Sequence, residues 1–287
     1  MINKSKILCA LLAFSAAFAV SACGKNDNDS SAADNVDDTS SVVTSKADKN
    51  TADASNVGPY LKKAAEIYKS GKYTLKCTVT STADDGAIKL TRVVNGDDVY
   101  QLQQEKKGSY GIISMAGKTY AFDNACGMYK TAKSVPSNNV VEEVVARNLM
   151  QTKSYETEEQ GFVTEQYTFT GETFITNVKF YFDEQTGDLK KYVMKYTVEG
   201  QEDITETRVI DSISKTVDDS VFSLDFLDKM VNFENMTEDQ RLGFCQGICS
   251  SKGITAEMMS NMGIKADNFK TIDFDAFFNL VYSYSNN

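Results

Sequence analysis

Val178-Lys179-Phe180-Tyr181-Phe182-Asp183-Glu184-Gln185-Thr186-Gly187-Asp188-Leu189 decides the fold class. Val178, Phe180 and Phe182 alternate with Lys179 and Tyr181, the period of a strand that buries one face. The polar run Asp183 to Asp188, with glycine near its end, then turns the chain into a second alternating stretch, Tyr192, Met194, Tyr196 and Val198. The pattern predicts a β-hairpin, and the same rhythm extends in both directions. Downstream lies Ile204 to Ile213. Upstream lie Tyr167 with Phe169, Tyr120 with Phe122, Ile112 to Met115, Tyr100 with Leu102, then Ile88, Leu90 and Val94. The series begins with Tyr73, Leu75, Cys77 and Val79. Asp84-Asp85-Gly86, Asn95-Gly96-Asp97, Lys107-Gly108-Ser109 and Ala116-Gly117-Lys118 supply the turns, and gaps this short favour antiparallel pairing.

Helical signals interrupt the series. Pro59 to Ser70 places Leu61, Ala64, Ala65 and Tyr68 on one face, with proline in the first turn and Gly71 at the end. Asn138 to Thr152 predicts a second helix, capped by Asn139 with Glu142 and apolar at Val141, Val144, Val145 and Leu149. From Asp228 onward the pattern becomes helical. Thr237 with Gln240 forms a capping box, Leu242, Cys245 and Cys249 share a face, and Gly253 ends the helix. Short helices are also expected at Thr255 to Met262 and Phe274 to Tyr284.

The chain of 287 residues has a formal charge of -10 and contains neither histidine nor tryptophan. Without histidine there is no serine triad, no Cys-His pair and no His-containing metal site. Carboxylates abound, but no motif singles out a catalytic pair, and phosphate loops and nucleophile elbows are absent. The expectation is a non-enzyme with no cofactor and no metal. Acidic charge without a basic stripe excludes nucleic acid as a partner. Asp27, Asp29, Ser31 and Asp38 fall at calcium-loop positions, but Ala32 replaces the required glycine and no helices flank them.

Lys4 and Lys6 precede an uncharged run from Ile7 to Val20, the layout of a secretory signal peptide. Val20-Ser21-Ala22-Cys23 resembles the lipobox of bacterial lipoproteins, in which the cysteine receives a diacylglyceryl group and the chain is cut before it. Residues 1–22 are then the signal peptide. Their loss takes Lys4 and Lys6 and no acid, changing -10 to -12. Two acyl chains on Cys23, at about 0.8 kcal/mol per buried methylene, would hold the mature chain on the outer face of a cytoplasmic membrane or on an outer membrane. Residues 23–57 comprise that cysteine and a polar tether too poor in apolar side chains to fold. Once Cys9 is removed and Cys23 lipidated, four cysteines remain. Cys77 with Cys126 and Cys245 with Cys249 are candidate disulfides; for the second pair, one helical turn apart, plain burial is the alternative.

The order of elements resembles the LolA and LolB lipoprotein carriers and the LppX-type lipoproteins. The segments concerned are Leu61 to Thr82, the hairpin from Tyr181 through Leu189, and Val217 to Leu224 with Phe222. The resemblance implies a mostly β, α+β fold: a curved antiparallel sheet or half-barrel with covering helices over residues 58–227. A small C-terminal helical region, 228–287, would come after it. It also implies an apolar space for acyl chains, for which the aromatic alternation offers Tyr100, Tyr120, Phe122, Tyr167, Phe169, Phe180, Phe182, Tyr192 and Tyr196 as lining. The same side chains could equally form a packed core. Arg92, on an otherwise apolar face, needs a partner, either a ligand headgroup, a carboxylate or solvent. The leading function is an anchored lipoprotein binding a lipid or lipidated partner. The alternative is a fully packed structural or interaction module that meets another envelope protein.

Overall fold

The structure is a computed structural model describing residues 57–252 and 255, except 83, 107, 133–134, 136–139, 148, 150, 152, 157–158, 171–173 and 199–201. Cys23, the tether from 24 to 56, Asn139, Gly253 and the helices expected near the carboxyl end lie outside these residues, Thr255 and Val57 apart.

The described residues form one curved, mostly β sheet of twelve strands with a few helices. In chain order these are α1 (Pro59–Lys69), β1 (Lys72–Ser81), β2 (Asp84–Asn95), β3 (Asp98–Glu105), β4 (Gly108–Met115), β5 (Lys118–Asp123) and β6 (Met128–Thr131). Next come α2 (Val140–Ala146), β7 (Lys153–Glu156), β8 (Phe162–Thr170), β9 (Phe174–Asp183), β10 (Leu189–Val198) and β11 (Ile204–Ser214). Three short 3₁₀ turns succeed them at Asp219–Val221, Asp225–Lys229 and Phe233–Asn235, with β12 (Val231–Asn232) between the last two; α3 (Glu238–Lys252) ends the described helices. The strand order is β12-β6-β5-β4-β3-β2-β1-β11-β10-β9-β8-β7. Two meanders, β1 to β6 and β7 to β11, are thus joined where β1 pairs antiparallel with β11.

The turns follow local chemistry. Ala116 and Gly117, at φ 52° and 75°, make the two-residue turn that right-twisted hairpins favour. At the end of β9 the Asp183 carboxylate accepts from the amides of Gln185 and Thr186, and Gly187 takes φ 69°. One expected turn is displaced. Ser81 pairs with Asp84, and the register slip between Thr80 and Ser81 absorbs Asp85 and Gly86 as a bulge in β2.

Other differences concern short elements. Of the second helix, expected over 138–152, the described part is Val140–Ala146, and Arg147 already lies in a turn. Strands β6, β7 and β12, with four, four and two residues, are too short to display alternation. β12 pairs parallel with β6, so the sheet is mixed at that edge. Beyond Asp228 the chain first adds this strand and a 3₁₀ turn and becomes α-helical only at Glu238. There the capping box forms as expected, with Thr237 and Gln240 exchanging side-chain-to-amide hydrogen bonds at 2.9 and 3.3 Å.

Candidate functional site: the helix-covered face of the sheet

Residues directly opposite across a ladder project to the same side, so the registers sort the side chains by face. One row runs Glu165, Phe180, Tyr192, Arg208, Val79 and Ile88; a second runs Tyr167, Val178, Met194 and Glu206; a third runs Phe169, Thr176, Tyr196 and Ile204. Helices α1 and α2 cover this face, burying Leu61, Ala65 and Tyr68 from one and Val140, Val141 and Val144 from the other. The rings pack on one another. Phe180 lies 5.8 Å from Tyr167 and 5.6 Å from Tyr192, and Tyr60 of α1 stacks on Phe182 at 5.4 Å.

Seven of the ten candidate residues share this face: Arg92, Tyr167, Phe169, Phe180, Phe182, Tyr192 and Tyr196. Tyr100, Tyr120 and Phe122 do not. They stand in rows with Val93, Ile113 and Tyr129 on the opposite face, under Leu224, Phe226, Leu227 and Met230. Phe122 meets Phe226 edge-on at 4.8 Å. A single lining of ten residues is therefore corrected to two separate aromatic groups. Alternation assigns faces within a strand but not between strands.

Among the polar groups on the helix-covered face are Thr176 of the third row, Gln103 and three that include a charged side chain. Arg92 lies opposite Leu75 and Gln101, and its guanidinium donates to Gln101 Oε1 at 2.6 Å and hydrogen-bonds the Tyr73 hydroxyl. The second group is an ion pair missed by sequence reasoning: Arg208 Nε donates to Glu206 Oε1 at 2.6 Å, both side chains being about 5% exposed. Burial opposes the charge on Arg208, but Glu206, followed by Tyr192, Cys77 and Tyr196, holds the guanidinium protonated well above its ordinary range. Burial also pushes Tyr192 up to about 12 and the Cys77 thiol up to about 11. The period-two reading of Ile204 to Ile213 contained the signal, because Glu206 and Arg208 sit in phase with Ile204.

The third group is Glu165, fully buried in phase with Tyr167 and Phe169. Its Oε1 accepts from the Tyr60 amide at 3.0 Å and its Oε2 from the Leu61 amide at 3.1 Å and the Tyr167 hydroxyl at 2.8 Å. The Tyr167 hydroxyl in turn accepts from the Gly58 amide at 2.9 Å. Burial raises the carboxyl above glutamate's ordinary value, against those hydrogen bonds and the charge of Lys62.

The structure holds the four cysteines as thiols. Cys77 is buried in β1 while Cys126 is exposed in the turn between β5 and β6, so that candidate pair does not meet. Cys245 and Cys249 are buried neighbours on α3, their thiols pushed up by burial to about 12 and about 11. Among the described residues no three His, Cys, Asp or Glu side chains gather as a metal ion would require, and no helix is long and apolar enough to cross a membrane.

No protein-family model matches the chain, and no curated protein matches it. Among solved structures, a LolA superfamily protein from Nitrosomonas europaea aligns at 10% identity with a TM-score of 0.30, over 58% of this chain and 97% of that one. MucB in complex with MucA(peri) aligns at 13% identity with a TM-score of 0.34, over 62% of each chain. Likeness this slight identifies neither a ligand nor a partner.

Proposed function

We propose that the chain is a non-enzymatic, extracytoplasmic binding protein, anchored to a membrane through lipidated Cys23. The ligand is apolar or amphipathic, a lipid or a lipidated partner, and enters between the aromatic sheet face and its helices. One observation carries this reading: among the described residues, a face six strands wide (β1, β2 and β8 to β11) is covered chiefly by α1 and α2, of eleven and seven residues, with Val57 and Leu149 beside them. Helices of that length have little stability apart from their packing, so the cover is the least costly part of the core to displace. Behind it lie rings suited to acyl chains. The Arg208-Glu206 and Arg92-Gln101 pairs supply polar points for a headgroup.

A second reading keeps the core closed and gives the protein an interaction role at the envelope. It is favoured by the near-complete burial of Tyr167, Phe180 and Phe182 against each other and against α1. Native mass spectrometry of the full lipidated chain, released from detergent and compared after organic extraction, separates the two. Reproducible stoichiometric adducts beyond the anchor support uptake. A mass equal to the anchored chain alone, even after incubation with phospholipid, removes it. Alkyne-palmitate labelling tests the anchor, with signal expected in the wild type and lost in Cys23→Ala.

A further inference from the structure

A helix normally caps its first amides with the side chain just before it, a Ser, Thr, Asp or Asn. Helix α1 begins at Gly58-Pro59, and Gly58 has nothing to offer. Its caps come instead from β8, more than a hundred residues away, where Glu165 takes the Tyr60 and Leu61 amides and Tyr167 takes that of Gly58. The arrangement also requires the missing side chain, since a Cβ at Gly58 would overlap the Glu165 carboxylate.

We propose that Glu165 is a latch for the cover: helix α1 is capped only while docked, so its folding and its closure over the aromatic face are one step, and displacing the carboxylate opens the face. The cap and the docking contact are the same hydrogen bonds. A self-capped helix could swing away intact, whereas α1 loses its N-terminal satisfaction on leaving the sheet and frays. The rest of its attachment is the apolar face that buries Leu61, Ala65 and Tyr68, with Tyr68 edge-on to Tyr73 at 5.2 Å, and this packing leaves the first amides of the helix to the latch. Lys63 reaches the exposed turn at Thr186 and Asp188, a solvent-screened contact, and Tyr60 and Leu61 beneath the latch bring α1 onto Phe182 and the core.

Insofar as the latch governs ligand entry, the inference rests on the uptake proposed above, but its test reads the helix without ligand. Hydrogen exchange of the full lipidated chain in detergent is compared for wild type, Glu165→Gln and Gly58→Ala. The first variant sets an amide donor against backbone N–H groups; the second leaves the glutamate in place and pushes it aside. Both are expected to speed exchange of residues 60–69 tenfold or more while the amides of β9 and β10 keep wild-type protection. Unchanged helix exchange overturns the latch, as does helix exchange that rises only in step with β9 and β10 in both variants. Phospholipid adducts are then counted on the same variants. A faster helix without added uptake retains the latch and counts against the carrier reading; uptake with an unchanged helix does the reverse.

Discussion

A carboxylate that serves a helix 105 residues away has consequences for acid stability. Burial lifts Glu165 above the value it has in the unfolded chain, with Tyr167, Tyr60, Leu61 and Lys62 opposing. Between those two values the folded protein holds a proton that the unfolded chain has lost, so this group's contribution is greatest at low pH and declines as pH rises through the raised value. Asp183, Asp203 and Asp218, lowered chiefly by hydrogen bonds from Thr186, Lys195 and Ser220 respectively, act in the opposite direction. Being common to wild type and Glu165→Gln, they cancel in a comparison. The stability of wild type relative to Glu165→Gln should therefore grow as the pH falls from 7 to the ordinary glutamate value of about 4.3 in urea titrations; a constant or narrowing difference contradicts it. The Arg208-Glu206 pair makes a different prediction. Arg208→Met strands a buried carboxylate and should cost about 3–5 kcal/mol, whereas Arg208→Met with Glu206→Leu should recover most of that loss. Denaturant midpoints of the single and double variants check it. The phase of each was legible, Glu206 and Arg208 with Ile204 and Glu165 with Tyr167 and Phe169, but the partners of Glu165 were not, because they come from a helix more than a hundred residues away.

At the scale of elements, close packing is set where a ring crosses a strand. A Cβ at Gly111 in β4 would overlap the Gln101 carbonyl oxygen and the Phe122 ring, so Phe122 can lie across β4 only because that residue is glycine. Gly111→Ala should cost roughly 1–3 kcal/mol, the range for overpacking, read as a lower thermal midpoint; an unchanged midpoint would mean that Phe122 finds another place. Strands of eight residues or more, such as β1 with Tyr73, Leu75, Cys77 and Val79 all buried, were plain from their alternation. So was the Asp183 to Asp188 turn, whose polar residues act locally. Short strands carried no such signal. β6 exists because β5 offers an edge and the Glu234 side chain meets Thr131, and β7 because β8 does; those are tertiary causes. Helix α2 stops at Ala146 although its apolar spacing continues to Leu149, which packs on the core outside the helix.

Taken whole, the molecule has apolar packing on both sides of one sheet: the helix-covered face around Phe180 and the opposite face around Phe122, closed by the chain from 224 to 230. The two clusters share no residue, so Phe180→Leu and Phe122→Leu should each cost roughly 1 kcal/mol and add to within about 0.5 kcal/mol. A double-mutant cycle by chemical denaturation checks this, and strong coupling would mean that the sheet transmits strain between its faces. That the aromatics divide this way was invisible in the sequence, since the choice of face is made by long-range pairing, above all that of β1 with β11. The position of Gly58 has one more consequence, a mechanical one. If the chain is moored at Cys23, any drag on the folded part is delivered along the backbone at Val57 and Gly58, and the first bonds to bear it are those to Tyr167 and Glu165. Load would peel the helix from its strand one amide at a time instead of shearing the whole sheet, so tension at the membrane and access to the aromatic face would be read by the same three hydrogen bonds.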